Sequence, residues 1–411
     1  MSSAARLKIA YLISRYPAVS HTFIMREIRA LRALGFDIPT ASINSPEPCL
    51  EKLPPEEKLE AQSTFYIKQE GAWQAIQIFF ILLLTSPIRL INTLVFCLYL
   101  GGADLKKLLY HFFYLGEAMI LGRWLQKEKI THLHVHFANP AASVALLTSK
   151  LFPCTYSMTV HGPDEFYDVP GYRLLEKIEN ARFICCISFY AQSQLMKITP
   201  PTQWPKFEIA PLGVDSTIFD PAQKINGRRI VELICVGRLV PAKGQHILIA
   251  AISSLIKQGI PLHLTIVGDG IERENLEKAV AHRELQNHIT FRGSLTQTQV
   301  LDCYKNSDIF VLPSFAEGVP ISLMEAMSME IPCVATDVNG VPELIRNEID
   351  GILTHPSDVE GLTETLADLI KNSDARELLG KAGRRRIAEK YQLNQNVEYL
   401  AKIFVRRLTY E

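Results

Sequence analysis

The stretch DIFVLPSFAEGVPISLMEAMSMEIPCVATDV, residues 308–338, predicts a strand, a turn, a helix and a second strand. Both strand-like runs are almost uniformly apolar, as expected of parallel strands buried on both faces. Gly318 and Pro320 mark the turn. Similar apolar runs alternate with helical runs on either side, so we expect an α/β fold with doubly wound parallel sheets.

The length of the chain and its alternation of strand-like and helical runs predict two such domains. At 411 residues it is too long for one ordinary core. A Gly-, Pro- and Asp-containing segment interrupts the alternation, which restarts at IVELICVGRL, residues 230–239. We expect Rossmann-like domains over 1–212 and 229–390, a linker over 213–228, and a C-terminal helix within 391–411 that packs back towards the N-terminal domain. Ligands of such sheets bind at the carboxyl ends of the strands, so we expect the domains to face each other across a cleft.

Charge and cysteine content restrict the partners and the compartment. Lys and Arg total 43, as do Asp and Glu, so no net field favours a nucleic-acid partner. The eight cysteines contain no C-x-x-C pair, which favours a reducing compartment. The chain enters LKIAYLI, residues 7–13, without a signal-peptide pattern, and we expect a cytoplasmic protein.

The strongly apolar segment 72–102 is the one candidate for membrane contact. Pro87 and Arg89 interrupt it midway, which disfavours a spanning helix. We expect two helices that are either buried or rest on the membrane surface. With Lys106 and Lys107 nearby, such a pair suits peripheral contact with anionic lipid of the inner membrane.

Two glutamates flank the predicted turn in residues 308–338. Pro320 suits the first helical position, and Gly318 permits close approach to the backbone. The N–H groups of Ile321 and the next residue then form an anion site suited to phosphate. Glu325, one turn further in, is placed for ribose hydroxyls, and Glu317 faces the group that the phosphate bears.

A second cationic turn, VGRLVPAKG (residues 236–244), lies at another carboxyl edge. Arg238 and Lys243 could neutralise a diphosphate and stabilise it as a leaving group. The alternative is a solvated loop with two surface charges, which contribute little on their own. Beside the anion-binding turn, the diphosphate interpretation is favoured.

These motifs, together with VGDG, FRGSL and APLGVDSTIFDP, resemble family 4 glycosyltransferases of the GT-B fold. YLISRYPAVSHTFIMREIRAL, residues 11–31, is similar to the subgroup that makes bacterial exopolysaccharides, including colanic-acid-type enzymes. The resemblance implies that Arg238 and Lys243 bind the nucleotide diphosphate, Glu325 the ribose and Glu317 the donor sugar. It further implies roles for two backbone segments. They are Gly318, Val319, Pro320 and Ile321 around the distal phosphate, and Gly293, Ser294 and Leu295 at the nucleobase.

The histidines are interpreted from their positions. His161 follows a strand, where the family places a histidine against the sugar and the reacting centre, so we expect a catalytic role. A lone histidine before glycine is otherwise a structural turn residue. His132, His134 and His136 share one face of a strand. A metal site there is the weaker alternative to packing and substrate contacts.

The first turn departs from the family pattern. Many relatives have a glycine-rich turn, and the subgroup has Glu before Thr, where this chain has His21. Ser20, His21 and Thr22 are the candidate acceptor-side residues, with Ser20 or Thr22 as a helix cap. No D-x-D motif occurs, so we expect no metal and no cofactor besides the nucleotide-sugar co-substrate.

The sequence therefore predicts a retaining, metal-independent hexosyltransferase-type enzyme. It would move a sugar from a nucleotide-diphospho-sugar to a glycan or lipid-linked acceptor, in exopolysaccharide or cell-envelope glycan synthesis. Retention is implied by the resemblance alone.

The alternatives are a catalytically silent nucleotide-sugar-binding protein and a sugar-nucleotide epimerase on the same fold. A dinucleotide oxidoreductase is disfavoured because no G-x-G-x-x-G follows the first strand. A glycoside hydrolase is disfavoured because its two carboxylates must flank one bond.

Overall fold

The computed structural model describes residues 7–18, 22–46, 55–221 and 230–409. They form two compact units, one comprising Met1–Ala210 with Val397–Glu411 and the other Pro211–Asn396. Each unit has one parallel sheet joined by helical crossovers. The predicted α/β class with two doubly wound Rossmann-like domains is confirmed.

The sheet of the N-terminal unit has the hydrogen-bonded order β3-β2-β1-β4-β5-β6-β7, and its pairings are parallel. The strands are β1 (Ala10–Arg15), β2 (Thr40–Asn44), β3 (Phe65–Tyr66), β4 (His132–His136), β5 (Thr155–Val160), β6 (Ile184–Cys186) and β7 (Phe207–Ile209). The order reverses direction between β1 and β4. In a doubly wound sheet this reversal opens a crevice at the carboxyl edge.

The helices of this unit pack on both faces of the sheet, as its strand order requires. They are α1 (Thr22–Ala33), α2 (Pro55–Ser63), α3 (Gly71–Thr85), α4 (Pro87–Gly101), α5 (Leu105–Lys127), α6 (Pro140–Leu151), α7 (Leu174–Asn180) and α8 (Phe189–Ile198). Short 3-10 helices span Ile67–Glu70, Pro163–Glu165 and Pro201–Lys206. Side-chain caps start several of these α-helices, including α5, α6 and α8. Asp104 accepts from two backbone N–H groups of α5, and Asn139 accepts from one of α6.

The sheet of the C-terminal unit has the order β10-β9-β8-β11-β12-β13, also with parallel pairings. Its strands are β8 (Val231–Val236), β9 (Leu262–Val267), β10 (Ile289–Gly293), β11 (Ile309–Leu312), β12 (Cys333–Thr336) and β13 (Ile352–Thr354). Its helices are α9 (Gln245–Lys257), α10 (Arg273–His282), α11 (Gln297–Lys305), α12 (Ile321–Ser328), α13 (Val341–Leu344), α14 (Val359–Lys371) and α15 (Ser373–Lys390), with a 3-10 helix at Pro241–Lys243. Here the order reverses between β8 and β11.

The last helix, α16 (Leu393–Thr409), begins in one unit and ends in the other. Its fully buried Phe404 lies edge-on to His134, with ring centroids 5.0 Å apart. The main-chain carbonyl of Arg407 accepts a 2.8 Å hydrogen bond from Nε of Arg182. The end of α16 is therefore part of the core of the N-terminal unit.

The predicted linker, 213–228, is described only to residue 221. Val214 pairs with Gln392 in an isolated parallel bridge, and Phe219 is fully buried. The carbonyl of Phe219 accepts a 2.9 Å hydrogen bond from the Ser328 hydroxyl. Residues 213–221 thus pack as part of the C-terminal unit, and 222–228 lie outside the described residues.

The apolar segment 72–102 forms two helices, α3 and α4, that break at Ser86, as predicted. Both pack on α5. None of the described helices combines the length and the apolar character needed to cross a bilayer.

Candidate functional site

The carboxyl edge of the C-terminal sheet brings two predicted motifs together. The Arg238–Lys243 loop follows β8, and the Glu317 loop follows β11. These strands are hydrogen-bonded neighbours at the point where the strand order reverses. Ligands of doubly wound sheets bind at this point, so the sheet topology places both loops at the expected binding crevice.

Lys243 and Glu317 form the central contact of this crevice. Nζ of Lys243 lies 2.5 Å from Oε1 of Glu317. The side chains are 17% and 6% exposed, respectively. A pair so shielded from water interacts more strongly than a surface ion pair. The surface-charge alternative therefore does not describe Lys243.

Two neighbours that the sequence analysis missed hold Glu317 in place. The Ser314 hydroxyl donates a 2.6 Å hydrogen bond to Oε1 of Glu317. The side-chain carbonyl of Asn339 accepts from the Glu317 backbone N–H at 3.2 Å. Asn339 itself has φ +48°, a left-handed conformation that asparagine tolerates. Ser314 follows β11 and Asn339 follows β12, and these positions after the strands were the sequence signal that could have identified both residues.

The Gly318 turn is packed closely against the loop after β12. A Cβ on Gly340 would lie 2.2 Å from the carbonyl oxygen of Gly318, so the two backbones meet without room for a side chain. Helix α12 then begins at Ile321, and Pro320 is its N-cap with an extended ψ of 122°. The prediction that Pro320 is the first helical residue is wrong by one position. The N–H groups of Ile321 and Ser322 remain in the first turn, where helices bind anions.

Glu325 lies inside α12 and is 8% exposed. The hydroxyl of the buried Tyr304 donates to Oε2 of Glu325 at 3.3 Å. Burial first, and then the Glu325 carboxylate, raise the pKa of Tyr304 well above its usual value. Tyr304 therefore stays protonated and acts as a donor that orients Glu325. Sequence reasoning missed it because it lies on a different helix, α11.

The remaining donor-side predictions lie along the same edge. The carbonyl of Arg238 accepts a 2.9 Å hydrogen bond from the Gln245 amide, which fixes the start of the cationic loop. Gly293 ends β10 with φ +68°, and its carbonyl accepts from Gly268 N–H at 2.9 Å. Ser294 and Leu295 follow, exposed and half-buried, respectively.

His161 lies in the N-terminal unit, directly after β5 as predicted, and is 8% exposed. Its Nε2 lies 2.9 Å from Nδ1 of His136. Its backbone N–H donates to the Glu165 carboxylate at 2.5 Å. Glu165, missed in the sequence, also accepts from the N–H groups of Ala138 and Gly162 and so holds the whole turn.

Glu165 and Lys177 are both buried next to this turn. Burial raises the pKa of Glu165 to about 7, against the lowering effect of its three backbone donors. Burial lowers the pKa of Lys177 to about 7, and its ammonium donates to the carbonyls of Ala138 and Asn139. These contacts are local to the turn and tie it to α7.

Two of the three histidines of β4, His132 and His134, are buried among hydroxyl groups. His132 lies between Thr155 and Ser157, at 2.7 and 2.9 Å. His134 lies between Ser157 and Thr159, at 2.8 and 2.9 Å. Burial lowers the pKa of His132 to about 3 and lowers that of His134 well below its usual value. Both are therefore neutral packing residues in the folded protein.

Glu27, His134 and His136 bring their side-chain donor atoms within 4.8 Å of one another, a spacing that suits a metal ion. Both nitrogens of His134 and of His136 already have hydrogen-bond partners in the protein. These bonds account for the cluster, and we assign it no ion.

Of the first-turn candidates, Thr22 begins α1. Ser20 and His21 lie outside the described residues.

Comparison with known proteins identifies the class. Residues 217–386 match the model of the family described as glycosyl transferases group 1. The matched residues lie within the C-terminal unit, and the resemblance predicted from the motifs is confirmed.

Several relatives have named functions. WcaL of Escherichia coli, named as a colanic acid biosynthesis glycosyltransferase, is 31% identical over 210 residues, or 50% of this chain and 51% of that protein. The amylovoran biosynthesis glycosyltransferase AmsK of Erwinia amylovora is 28% identical over 228 residues, 54% of this chain and 55% of that protein. The chain thus spans about half the length of these relatives.

Solved structures resemble the whole chain. Sucrose-phosphate synthase from Thermosynechococcus elongatus has a TM-score of 0.77 at 17% identity, covering 99% of this chain and 100% of that one. HepE of Anabaena, in complex with UDP-glucose, has a TM-score of 0.73 at 14% identity, covering 97% and 99%. At such identities these likenesses define the fold, which is GT-B as predicted.

Proposed function

We propose that this protein is a retaining glycosyltransferase that uses a nucleotide-diphospho-sugar donor. The observation that supports it most is the partly buried Lys243–Glu317 pair at the strand-order reversal, beside the N-terminus of α12. A cation, a carboxylate and a helix N-terminus together match the charges of a diphosphate and a sugar that are about to separate.

The donor's diphosphate is bound by Arg238 and Lys243, with the backbone from Gly318 to Ile321 around the distal phosphate. Lys243 already neutralises Glu317, so it can share its ammonium between the carboxylate and a phosphate oxygen as negative charge develops on the leaving group. Such charge stabilisation is the main electrostatic contribution to group transfer.

The nucleoside lies on the other side of the phosphates. Glu325, oriented by the Tyr304 hydroxyl, accepts hydrogen bonds from the ribose hydroxyls. The backbone from Gly293 to Leu295, at the end of β10, contacts the nucleobase. The UDP-glucose bound by HepE supports a nucleotide sugar as the donor class.

Chemistry at the anomeric carbon follows from this placement. Glu317 stabilises positive charge at that carbon, and the departing diphosphate remains on the same face of the sugar. No residue is assigned as a covalent nucleophile, so a front-face reaction is the mechanism that we propose. His161 contacts the transferred sugar, and no divalent metal takes part.

The acceptor is a glycan or lipid-linked sugar, used in exopolysaccharide or cell-envelope glycan synthesis. The names of WcaL and AmsK support this class. Thr22, at the start of α1, with Ser20 and His21 before it, forms the acceptor side.

A donor screen tests the proposal. Thermal unfolding of the full chain is measured with a panel of UDP-, GDP-, ADP- and dTDP-sugars, and hits are assayed for transfer. We expect at least one donor to stabilise the wild type and not Lys243→Ala. Lys278→Ala, which removes an exposed lysine of α10, is the matched control and should respond as the wild type. Binding without transfer to any glycan or lipid-linked acceptor would instead favour the silent binding protein.

We also propose peripheral attachment to the cytoplasmic face of the membrane through α3, α4 and the start of α5. This face displays large apolar side chains in an almost continuous series. The most exposed are Leu84 (84%), Leu105 (79%), Ile88 (74%) and Trp73 (69%). An apolar surface of this extent on a globular protein marks an interaction site.

The charges on this face favour a lipid partner. Residues 71–116 contain Arg89, Lys106 and Lys107 but one acidic residue, Asp104, which caps α5. At 15 residues, α3 is about 22 Å long, short of the ~30 Å hydrocarbon core. Helices of this kind lie in the interface, where basic groups contact anionic headgroups.

Vesicle co-sedimentation tests the attachment. We expect the wild type to sediment with phosphatidylglycerol-containing vesicles and less with pure phosphatidylcholine. The double variant Leu84→Glu/Ile88→Glu should stay in the supernatant. Leu378→Glu, at a 68% exposed position of α15, is the control and should still sediment. The proposal would be contradicted if the wild type does not sediment with anionic vesicles, or if this face is buried in a dimer.

A further inference from the structure

A continuous chain of hydrogen bonds crosses the interior of the N-terminal unit from β1 to the end of β5. The Tyr11 hydroxyl lies 2.8 Å from Oε1 of Glu27. The same oxygen lies 3.1 Å from Nε2 of His136. Nδ1 of His136 lies 2.9 Å from Nε2 of His161. The four residues are between 0% and 8% exposed, so water does not compete for these contacts.

With a neutral imidazole at His136, the carboxylate at one end sets the direction of every bond in the chain. A carboxylate only accepts hydrogen bonds, so Tyr11 and Nε2–H of His136 must both donate to Glu27. A neutral imidazole that bears its proton on Nε2 has a lone pair on Nδ1. His136 therefore accepts from His161, whose proton lies on Nε2.

We propose that Glu27 and His136 are positioning residues that hold His161 in its Nε2–H tautomer. The other ring nitrogen, Nδ1, is then a hydrogen-bond acceptor. Nδ1 of His161 then accepts a hydrogen bond from a hydroxyl of the sugar. This consequence rests on the proposed contact between His161 and the transferred sugar. The tip of the ring, Nε2, is directed to the core and makes no substrate contact.

The surroundings favour this arrangement over a reversed one. Burial and the Glu27 carboxylate raise the pKa of Tyr11 well above its usual value, which keeps its hydroxyl a donor. His134 is not part of the chain because its nitrogens are bonded to Ser157 and Thr159.

Other titratable and aromatic groups are packed around His161. Glu165 binds the backbone N–H of His161, and the Lys177 ammonium donates to backbone carbonyls. The rings of Phe23 and Phe137 flank the imidazole, with centroids 5.3 and 4.2 Å away. Cys185 lies near Tyr11, and burial raises the pKa of its thiol, so it adds no charge.

Nitrogen NMR of the full chain, labelled at histidine with ¹⁵N, tests the tautomer without any need for activity. His161→Asn identifies the signals of His161. We expect a protonated Nε2 and an unprotonated Nδ1 in the wild type at pH 7.5. Glu27→Gln offers an amide donor to His136 and permits the reversed chain, so His161 should show mixed tautomers. His132→Asn, on the same face of β4 but outside the chain, should leave the His161 signals unchanged.

Two NMR results would overturn the proposal. They are a wild type with the proton on Nδ1, and a Glu27→Gln protein of unchanged melting temperature whose His161 signals match the wild type. Because the first result does not depend on Glu27→Gln, a Glu27→Gln protein that fails to fold leaves the test intact.

Kinetics separate positioning from a merely structural role. With an active donor and acceptor, Glu27→Gln should lower kcat by about tenfold or more at unchanged donor KM and alter the acid limb of the pH profile. His132→Asn should match the wild type at pH 7.5. Unchanged kcat with mixed tautomers would refute the functional consequence. An Nε2–H tautomer in a protein that transfers no sugar would leave the positioning chain standing and defeat the proposed function.

Discussion

Replacing Lys243 by methionine removes the ammonium from the most shielded ion pair of the candidate site while keeping most of the side-chain volume. Glu317, 6% exposed, would lose its cation and keep the Ser314 hydroxyl. Removing one partner of a buried pair costs about 3–5 kcal/mol, and the retained hydroxyl places the expected loss near the lower limit. The lost charge should also lower kcat by roughly 10²-fold or more.

The double variant Lys243→Met/Glu317→Gln distinguishes the two effects. Without a buried charge lacking its partner, the C-terminal unit should regain most of the lost stability, while turnover stays low. Lys278→Met is the control, because its pair with Glu274 is 2.6 Å long but 69% and 79% exposed. Its loss should cost at most about 0.5 kcal/mol.

Stability of the C-terminal unit is followed by hydrogen exchange of the β8 and β11 amides, and turnover by donor consumption at saturating donor. If Lys243→Met loses no more protection than Lys278→Met, the shielded pair does not exist in solution. If the double variant regains turnover, Lys243 does not stabilise the leaving diphosphate.

Three further predictions address the donor, the metal and acid stability. Glu325→Ala should raise donor KM, because ribose contacts persist unchanged into the transition state, whereas Glu317→Ala should lower kcat; equal losses of kcat at unchanged donor affinity would contradict this division. EDTA should leave turnover unchanged, and loss of activity that Mg²⁺ or Mn²⁺ restores would refute metal independence. The pKa of His132 is about 3 in the folded protein and ~6.5 in the unfolded chain. Between pH 3 and pH 6.5, roughly, His132 therefore binds its proton only in the unfolded chain, so the stability of the protein should rise with pH across that window. Protonation of His132 in the unfolded chain should lower the stability of the protein by about 2 kcal/mol at pH 5. Thermal unfolding of His132→Asn should therefore show a smaller difference in melting temperature between pH 5 and pH 7.5 than that of the wild type.

Local sequence patterns were sufficient to predict the fold. Uniformly apolar strands such as residues 309–312 need helices on both faces of the sheet, and the alternation with helices predicts parallel order. The start of α12 was misplaced by one residue. Proline restricts φ but not ψ, so the sequence does not determine whether Pro320 precedes the helix or begins it.

Side-chain partners distant in sequence were beyond such reasoning. Lys243 and Glu317 were assigned to one edge from their positions after strands, but their mutual contact spans 74 residues. The contact between Glu27 and His136 spans 109 residues and has no spacing signature. Tyr304 reaches Glu325 from another helix. In each case tertiary packing, and no local periodicity, brings the groups together.

Calorimetric titration with nucleoside diphosphates tests the central claim most directly. The EDTA-treated wild type and Glu325→Ala are each titrated with UDP, GDP, ADP and dTDP, and Lys278→Ala serves as the control. The proposed site predicts that at least one diphosphate binds the wild type and the control without metal, and binds Glu325→Ala at least tenfold more weakly, the loss of about 1.4 kcal/mol of ribose contact. Failure of all four to bind the metal-free wild type, or equal binding to Glu325→Ala, would contradict it.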